Sequence, residues 1–423
     1  MRVPQPISGP LARTCTSLAA AVAERTPWVP AFRPDALFEA ADVDPTDDPM
    51  VVEPLQAMIE SAHGELGLGA RGRVLLGHRF VGLLRTRRFM RSRRETIDAS
   101  TTGPAASPML VVTGFPRTGT TLMHRLLATA PDAISPRWFE VMEPSLDPAR
   151  PVDAARRERI ERWRRTLRGI DLLSPNLRRV HEILVDGPEE CTHLHEAAFD
   201  SESFALAGPC AHYRSWLDDR TPERRRARYH WQAQCLEAIL ADRPETERTG
   251  RWVLKAPQHL LQIEDVLAVF PNARIVRMHR DPIATMTSTA SLVRHSSTIV
   301  GGRVGADRSE ELIEIFEEWQ RRGDEGTTAH PEAVLEIHYD DLLADPIAVV
   351  DRIQRFAGLS LLDAHADRIA RHLDARPRHH FGRHRYRPED FGIDVEATRR
   401  RLGPYETRIA GLRTSTPTSA GLG

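Results

Sequence analysis

Cysteine, lysine, net charge and long apolar runs are all scarce in this chain of 423 residues. Its cysteines, Cys15, Cys191, Cys210 and Cys235, are few and unclustered, which argues against a disulfide framework and against a zinc site. No apolar run approaches membrane-spanning length, and the N-terminus lacks the apolar core of a signal peptide. We therefore expect a cytoplasmic protein without a transmembrane segment.

The charge balance also argues against nucleic acid as a partner. The net charge is −1, and no block of basic residues reaches the size that nucleic-acid binding normally needs. The segment 85–94 is rich in arginine, and we interpret it as a solvated helix face in preference to a contact with an anionic substrate or a membrane surface.

Lys255 is the only lysine of the chain. It follows the apolar run 252–254 and precedes Ala-Pro-Gln-His, so it lies where a strand would end in a turn. An arginine would have supplied the same charge on a surface, which favours a site that needs a compact ammonium rather than a planar guanidinium. Lys255 is therefore a functional candidate, although the survival of a single codon by chance is the alternative.

A second candidate is the segment 109–121. Residues 109–113 are a short apolar run typical of a buried strand, and Gly114-Phe-Pro-Arg-Thr-Gly-Thr-Thr121 leads directly into a helical pattern. Gly114 and Gly119 have the spacing of a phosphate-binding loop, in which backbone N–H groups cradle an anion. The lysine of a nucleoside-triphosphate loop is replaced by Thr120, so a grip on β- and γ-phosphates is missing. A sulfuryl group carries less charge and suits such a loop without a divalent metal.

A third candidate follows the next predicted strand, 273–278. Arg280 lies at the strand end, and Asp281-Pro282 is a helix start with the cap and the first-turn proline in order. Ser288 lies eight residues after Arg280, about two helical turns. An ordinary helix cap with a surface salt bridge is the alternative, but two such strand-to-helix turns in one chain favour two phosphate sites.

These segments resemble the sulfotransferases that use 3′-phosphoadenosine 5′-phosphosulfate (PAPS), in particular a bacterial branch with a Pro-Arg-Ser/Thr-Gly-Thr-Thr loop. The resemblance spans about residues 106–412 and includes the blocks 187–191, 251–260, 270–274, 338–346, 384–386 and 391–393. It implies a donor PAPS, no metal, and transfer of a sulfuryl group to a hydroxyl or amine by in-line displacement. The residues that it implies for binding the nucleotide are Arg117, Thr118, Gly119, Thr120, Thr121, Arg280 and Ser288.

The catalytic residues that we predict are Arg117, Lys255, Glu140 and His259. Arg117 and Lys255 supply cations near the transferring group. The branches of the family differ in the general base, which is a histidine in some and a glutamate after the first helix in others. Glu140 occupies that later position and is our first choice, with His259, four residues after Lys255, as the second. A surface carboxylate and a helix-start histidine are the respective alternatives.

The order of strands and helices predicts an α/β fold, a parallel sheet of the P-loop NTPase type flanked by helices, with a helical N-terminal extension. We divide the chain into the extension and linker 1–105, a sulfotransferase domain 106–412 and a disordered tail 413–423. The strands predicted after the first lie at 252–255, 273–278 and 333–338. Ligands bind at the carboxyl ends of parallel strands, where Arg117, Lys255 and Arg280 converge.

Two other classes remain open from the sequence. A P-loop kinase or NTPase has the same fold but needs the missing lysine and a metal-binding carboxylate. A nucleotide-binding protein without catalysis would retain Arg117, Arg280 and Ser288. The acceptor is a small molecule, a lipid or a carbohydrate, and a homo-oligomer is possible.

Overall fold

The computed structural model describes residues 30–93, 103–173, 182–300, 308–376 and 387–413. The predicted tail from residue 414 and the first part of the predicted linker lie outside the described residues. Within the described ranges the chain alternates between helices and a single set of strands, as the periodicity of the apolar residues predicts.

Among the described residues up to 241, helices dominate. The helices before the first strand are α1 (Pro34–Ala41), α2 (Val52–Gly64) and α3 (Ala70–Arg93). The first strand and the elements up to the second strand are β1 (Met109–Thr113), α4 (Thr120–Leu127) and β2 (Ala133–Ile134). The helices before the third strand are α5 (Trp138–Met142), α6 (Val152–Leu173), α7 (Thr192–Glu196), α8 (Ala211–Asp218) and α9 (Pro222–Ala241).

The C-terminal half carries the remaining strands. Its elements up to the fifth strand are β3 (Arg251–Lys255), a 3₁₀ turn (Pro257–Gln262), α10 (Ile263–Val269), β4 (Ala273–His279), α11 (Pro282–Val300), α12 (Ser309–Ala329) and β5 (Val334–His338). The helices that follow are α13 (Tyr339–Ala344), α14 (Pro346–Phe356), α15 (Asp363–Ala375) and α16 (Val395–Ala410).

The five strands form one parallel sheet in the order β2-β3-β1-β4-β5. All five residues of β1 are buried, so both faces of this central strand are covered. The predicted α/β fold with a parallel sheet flanked by helices is confirmed. Because every strand runs the same way, the ends of β1, β3, β4 and β5 meet at one edge of the sheet, where Thr113 pairs with Arg277 and His279 with His338.

Two apolar cores belong to the sheet and its helices. One joins Leu110 and Val112 of β1 to side chains of α4, α14 and α15, among them Leu126, Ile353 and Ile369. The other surrounds the fully buried ring of Phe115, directly after β1, with residues from α11, α12 and α16. The loop after β1 is therefore anchored in the core at its second residue, which fixes the backbone that follows.

The described residues group into two compact units. The first includes those within 1–106, 136–249 and 290–306, and the second those within 107–135, 250–289 and 307–423. The first unit thus combines α1–α3 with the helices α5–α9, whereas the sheet and its C-terminal helices form the second. The division of the chain at residue 105 stays a prediction.

The arginine-rich end of α3 is only partly a solvated face. Arg88 and Arg91 are exposed, as predicted. Arg87 instead bonds the buried carboxylate of Asp48, and its guanidinium lies 4.4 Å from the ring centroid of Trp231. Arg93 donates from Nε to Ser145 Oγ at 3.1 Å. These arginines hold the helices of the first unit together.

Candidate functional site

The loop after β1 has a backbone that only certain residues adopt. Gly114 and Gly119 have φ values of 143° and 97°, and Arg117 between them has a φ of 72°. Left-handed φ values cost little for glycine and more for arginine, so the tight turn is held by its surroundings. Thr118, which is fully buried, donates from Oγ1 to the Phe115 carbonyl at 2.7 Å and thereby braces the turn.

Both loop glycines are also required by space. A Cβ on Gly114 would stand 2.6 Å from the Met278 carbonyl oxygen, and one on Gly119 would stand 2.4 Å from the ring of Tyr339. Helix α4 begins directly after Gly119, so its first N–H groups and the hydroxyls of Thr120 and Thr121 lie at a helix N-terminus. Such a loop is suited to an anion.

Arg117, Arg280 and Ser288 meet beside this loop. Arg117 donates from Nε to Ser288 Oγ at 3.0 Å. Arg280 donates from Nη1 to the carbonyl oxygen of Arg117 at 2.9 Å. The residues assigned from the sequence to two separate phosphate sites are therefore direct neighbours, and two guanidinium groups are present within one cluster. The arrangement favours a ligand with more than one anionic group.

Tyr339 completes the cluster, although it is not among the predicted site residues. The guanidinium carbon of Arg280 lies 4.6 Å from the centroid of its ring, a cation–π contact. The same ring closes the space beside Gly119. Tyr339 is the first residue after β5, so its position at a strand end on the ligand edge of the sheet is the signal that could have found it.

Lys255 ends β3 next to the loop. Its side chain is almost fully buried, and Nζ donates to Thr121 Oγ1 at 3.4 Å. Lys255 thus belongs to the same cluster as the start of α4, as predicted from its place at a strand end. His259, in the 3₁₀ turn that follows, is also buried.

Arg280 is supported from behind by a buried network. Its neighbour His279 bonds Glu336 Oε1 through Nε2 at 2.8 Å and Tyr405 through Nδ1 at 3.1 Å. Burial lowers the pKa of His279 to about 4, so the ring is neutral, with the proton on Nε2 facing the carboxylate. Nδ1 then accepts from the Tyr405 hydroxyl, because a neutral imidazole has one donor and one acceptor nitrogen.

Arg280 and Tyr339 lie just after β4 and β5. Helix α16 and the segment that follows it bond the residues next to this cation–π pair. Arg399 contacts Asp281 at 3.2 Å, and Asp281 in turn caps the start of α11 by accepting from Ala284 N at 2.7 Å. Arg413, just beyond the helix, bonds Asp340 at 2.6 Å. The residues next to Arg280 and Tyr339 are thus tied to one helix, which restrains the geometry of the pair.

Glu140 lies in the first unit, on the short helix α5. It is buried rather than a surface carboxylate, and Oε1 accepts from Arg243 Nε at 2.9 Å. Its Oε2 accepts from the backbone N–H of Arg137 at 2.8 Å and from Arg243 Nη2. A carboxylate has about four lone-pair positions, so one remains for a further donor. The role of Glu140 as base stays a prediction.

Within the described ranges, no group of three or more His, Cys, Asp or Glu side chains is arranged to hold a metal ion. In the same ranges no helix is both long and apolar enough to cross a bilayer. The cluster beside the loop offers backbone N–H groups, hydroxyls, an ammonium and guanidinium groups, which can stabilise negative charge on a transferring group and its leaving oxygen.

A glycine loop between a strand and a helix of a parallel sheet, with a lysine at the end of the neighbouring strand, is typical of P-loop-type group-transfer enzymes. The model of the Sulfotransferase family matches residues 108–363, more than half of the chain. The protein belongs to the sulfotransferase family and is a transferase of sulfuryl groups.

Curated relatives support the same conclusion. The omega-hydroxy-beta-dihydromenaquinone-9 sulfotransferase Stf3 of Mycobacterium tuberculosis is 24% identical over 273 residues, which cover 63% of this chain and 67% of that protein. The protein of the same name from Mycobacterium bovis gives the same values.

Solved structures share the fold. Sulfotransferase STF1 from Mycobacterium tuberculosis H37Rv superposes with a TM-score of 0.69 at 24% identity, covering 88% of this chain and 98% of that one. Sulfotransferase STF9 from Mycobacterium avium gives a TM-score of 0.69 at 21% identity, with 89% and 96% covered.

Proposed function

We propose that the sulfuryl donor is PAPS and that the cluster of Arg117, Arg280, Ser288 and Tyr339 binds its two phosphate-bearing ends. The observation that carries this proposal is the contact between Arg280 and the Arg117 carbonyl, which places a second cation directly beside the loop. A donor with a single anionic end would need only the loop and the start of α4. A 3′-phosphate gives the second cation its partner.

The donor-binding residues that we propose are Arg117, Thr118, Gly119, Thr120 and Thr121 on the loop, and Arg280 and Ser288 beyond β4. The loop is closely packed at Gly119, because a Cβ there would stand 2.4 Å from the ring of Tyr339. Gly114 and Gly119 permit the positive φ values of the turn that leads into α4, and Thr118 braces this turn through its hydroxyl.

In the reaction that we propose, PAPS supplies an activated sulfuryl group with a phosphate leaving group. Lys255 holds a positive charge near the start of α4, where it stabilises charge on the departing oxygen, and Arg117 does the same from the loop. The base accepts the proton of the acceptor hydroxyl. We retain Glu140, whose buried carboxylate is paired with Arg243, as the first choice, and His259 as the second.

For the acceptor we propose an apolar alcohol. The Stf3 relatives are named for a hydroxylated dihydromenaquinone, which is a lipid-like acceptor. We further propose that the protein works in a reducing compartment, since Cys191, Cys210 and Cys235 are buried free thiols. Cytoplasm fits that requirement.

The proposed donor is tested by thermal melting with 3′-phosphoadenosine 5′-phosphate (PAP), the product nucleotide. PAP at about 100 times its dissociation constant should stabilise the protein by about 2.7 kcal/mol, without added metal and in EDTA. ATP with Mg²⁺ is the matched alternative ligand. A shift seen only with ATP and Mg²⁺ would favour a kinase or NTPase and would overturn the proposal.

A further inference from the structure

The first unit contains a cavity of about 500 Å³ that none of the proposed donor-binding or catalytic residues lines. Its walls come from α3, from the segment 142–147 and from α6. The volume lies in the range of roughly 300–1,000 Å³ that is usual for small-molecule sites. The chemistry of its lining residues indicates which class of ligand it suits.

The cavity has a buried apolar part, here called its floor. Leu83, Met90 and Leu146 are buried side chains on its lining, and Phe89 and Trp163 are half-buried there. Aromatic and methionine side chains adapt to apolar ligands of irregular shape, because methionine is flexible and polarizable. The floor therefore favours hydrocarbon over polar groups.

Polar groups of the wall already bond partners within the protein. The buried guanidinium of Arg159 donates to the carbonyl oxygens of Glu143 and Ser145. Trp163 Nε1 donates to Glu143 Oε1 at 3.1 Å, and Ser145 Oγ bonds Asp242 Oδ2 at 3.2 Å. These bonds hold the segment 143–145 in place as a wall of the cavity. Because its polar groups already have partners, they need fewer hydrogen bonds from a ligand.

The rim differs from the floor. Arg85, Arg150 and Arg162 are exposed there, together with Asp147 and Glu158, and Arg150 bonds Glu158 at 2.6 Å. A ligand with a hydrocarbon body and a polar end matches this division between an apolar floor and a charged rim. An entirely polar ligand, such as a free sugar, would leave the floor without favourable contacts.

We propose that this cavity binds the hydrocarbon part of an amphipathic alcohol, the acceptor whose hydroxyl is sulfated. The inference rests on the proposed function. It specifies where the acceptor binds. Helix α5, which carries Glu140, also contributes Met142 to the lining of the cavity, and Glu143 follows directly. The predicted base and the cavity wall therefore share one short segment of chain.

The cavity can be filled without disturbing its walls. Gly82 on α3 lines it, and a Cβ at this position meets no atom within 4 Å. Gly82→Phe therefore places a ring in the space that the ligand would occupy, and Gly82→Ala controls for the change of backbone. The matched control is Gly169→Phe on α6, where a Cβ also meets nothing within 4 Å and which does not line the cavity.

The experiment is calorimetric titration of the full chain with farnesol, and with prenol as the short alcohol of the same head group, each in the presence of PAP. We expect farnesol to bind the wild type and both controls. The affinity of Gly82→Phe for farnesol should be lower by about tenfold or more, which corresponds to about two methylene groups leaving the cavity. Prenol should bind all four proteins with equal, low affinity.

Two results would overturn the cavity proposal: no binding of farnesol to the wild type, or equal binding to the wild type and Gly82→Phe. The melting shift with PAP is measured on every variant and reports separately on the donor site. If PAP fails to shift the wild type, the proposed function is wrong. If PAP shifts Gly82→Phe as it does the wild type while farnesol binding is lost, the variant is folded and the cavity proposal is supported. Should Gly82→Phe not fold, Gly82→Leu is the smaller substitution for the same test.

Discussion

The guanidinium of Arg280 stacks on the ring of Tyr339, with 4.6 Å from the guanidinium carbon to the ring centroid. The two residues follow neighbouring parallel strands, β4 and β5, and the ring also packs where a Gly119 side chain would be. One tyrosine thus packs against both the loop after β1 and the guanidinium of Arg280.

Replacing Tyr339 with leucine should therefore weaken the binding of PAP more than the binding of AMP. The cation–π contact is worth about 0.5–2 kcal/mol, so the affinity for PAP should fall about twofold to thirtyfold. Tyr339→Phe keeps the ring and should bind PAP nearly as the wild type does. Titration of the three proteins with both nucleotides checks this expectation, and equal losses in the leucine and phenylalanine variants would assign the effect to the hydroxyl instead.

Lys255→Arg should lower turnover by about tenfold or more while the affinity for PAP changes little. The guanidinium keeps the charge but is larger and planar, and the site around Lys255 is closed, so the cation no longer reaches the same position. Single-turnover rates and PAP titrations on the same preparations separate the two effects. Normal turnover in this variant would show that the lone lysine has no special role.

Glu140→Gln should lower the rate most for acceptors of high pKa and least for acidic phenols, which ionise without a base. It also leaves Arg243 without its buried partner, so a loss of stability of about 3 kcal/mol is expected. Arg243→Gln is the matched control, because it breaks the same ion pair and retains the carboxylate. If the two variants lose activity equally with every acceptor, Glu140 is structural and His259 becomes the next residue to replace.

Stability should fall as the pH is lowered from about 6.5 to about 4, in part because of His279. Burial lowers its pKa in the folded protein to about 4, whereas the ordinary value is about 6.5, so the unfolded chain takes up a proton that the folded chain does not. The contribution is complete above pH 6.5 and is lost by pH 4, up to about 3 kcal/mol. Urea unfolding of the wild type and His279→Gln checks this, and an equal slope against pH in both would contradict it.

The four longer strands were predictable from the sequence, because each is an apolar run that ends in a recognisable turn. The run 109–113 leads into a glycine loop, and 273–278 leads into Asp281-Pro282, so both the strand and its end are encoded locally. The two-residue strand β2 has no such pattern, because pairing with β3 forms it. The edge strand was therefore missed.

The same distinction holds for the site. Gly119, Arg117 and Arg280 were recognisable from local spacing, but the stacking of Arg280 on Tyr339 joins residues of different strands and depends on their pairing. The burial of Glu140 likewise depends on Arg243, which is 103 positions away in the chain. Contacts between distant segments are decided by packing of the whole fold, which no single segment encodes.

The most direct test of the account is the dissociation constant of PAP relative to that of AMP, measured for the wild type, Arg280→Gln and Ser288→Ala. Arg280→Gln retains a donor for the Arg117 carbonyl and removes the charge. We expect the wild type to bind PAP more tightly than AMP. Each substitution should weaken the binding of PAP by about 1.5–3 kcal/mol, or about tenfold to 150-fold, and leave the affinity for AMP almost unchanged. A wild type that binds both nucleotides equally, or variants that lose both to the same extent, would contradict the proposed 3′-phosphate site.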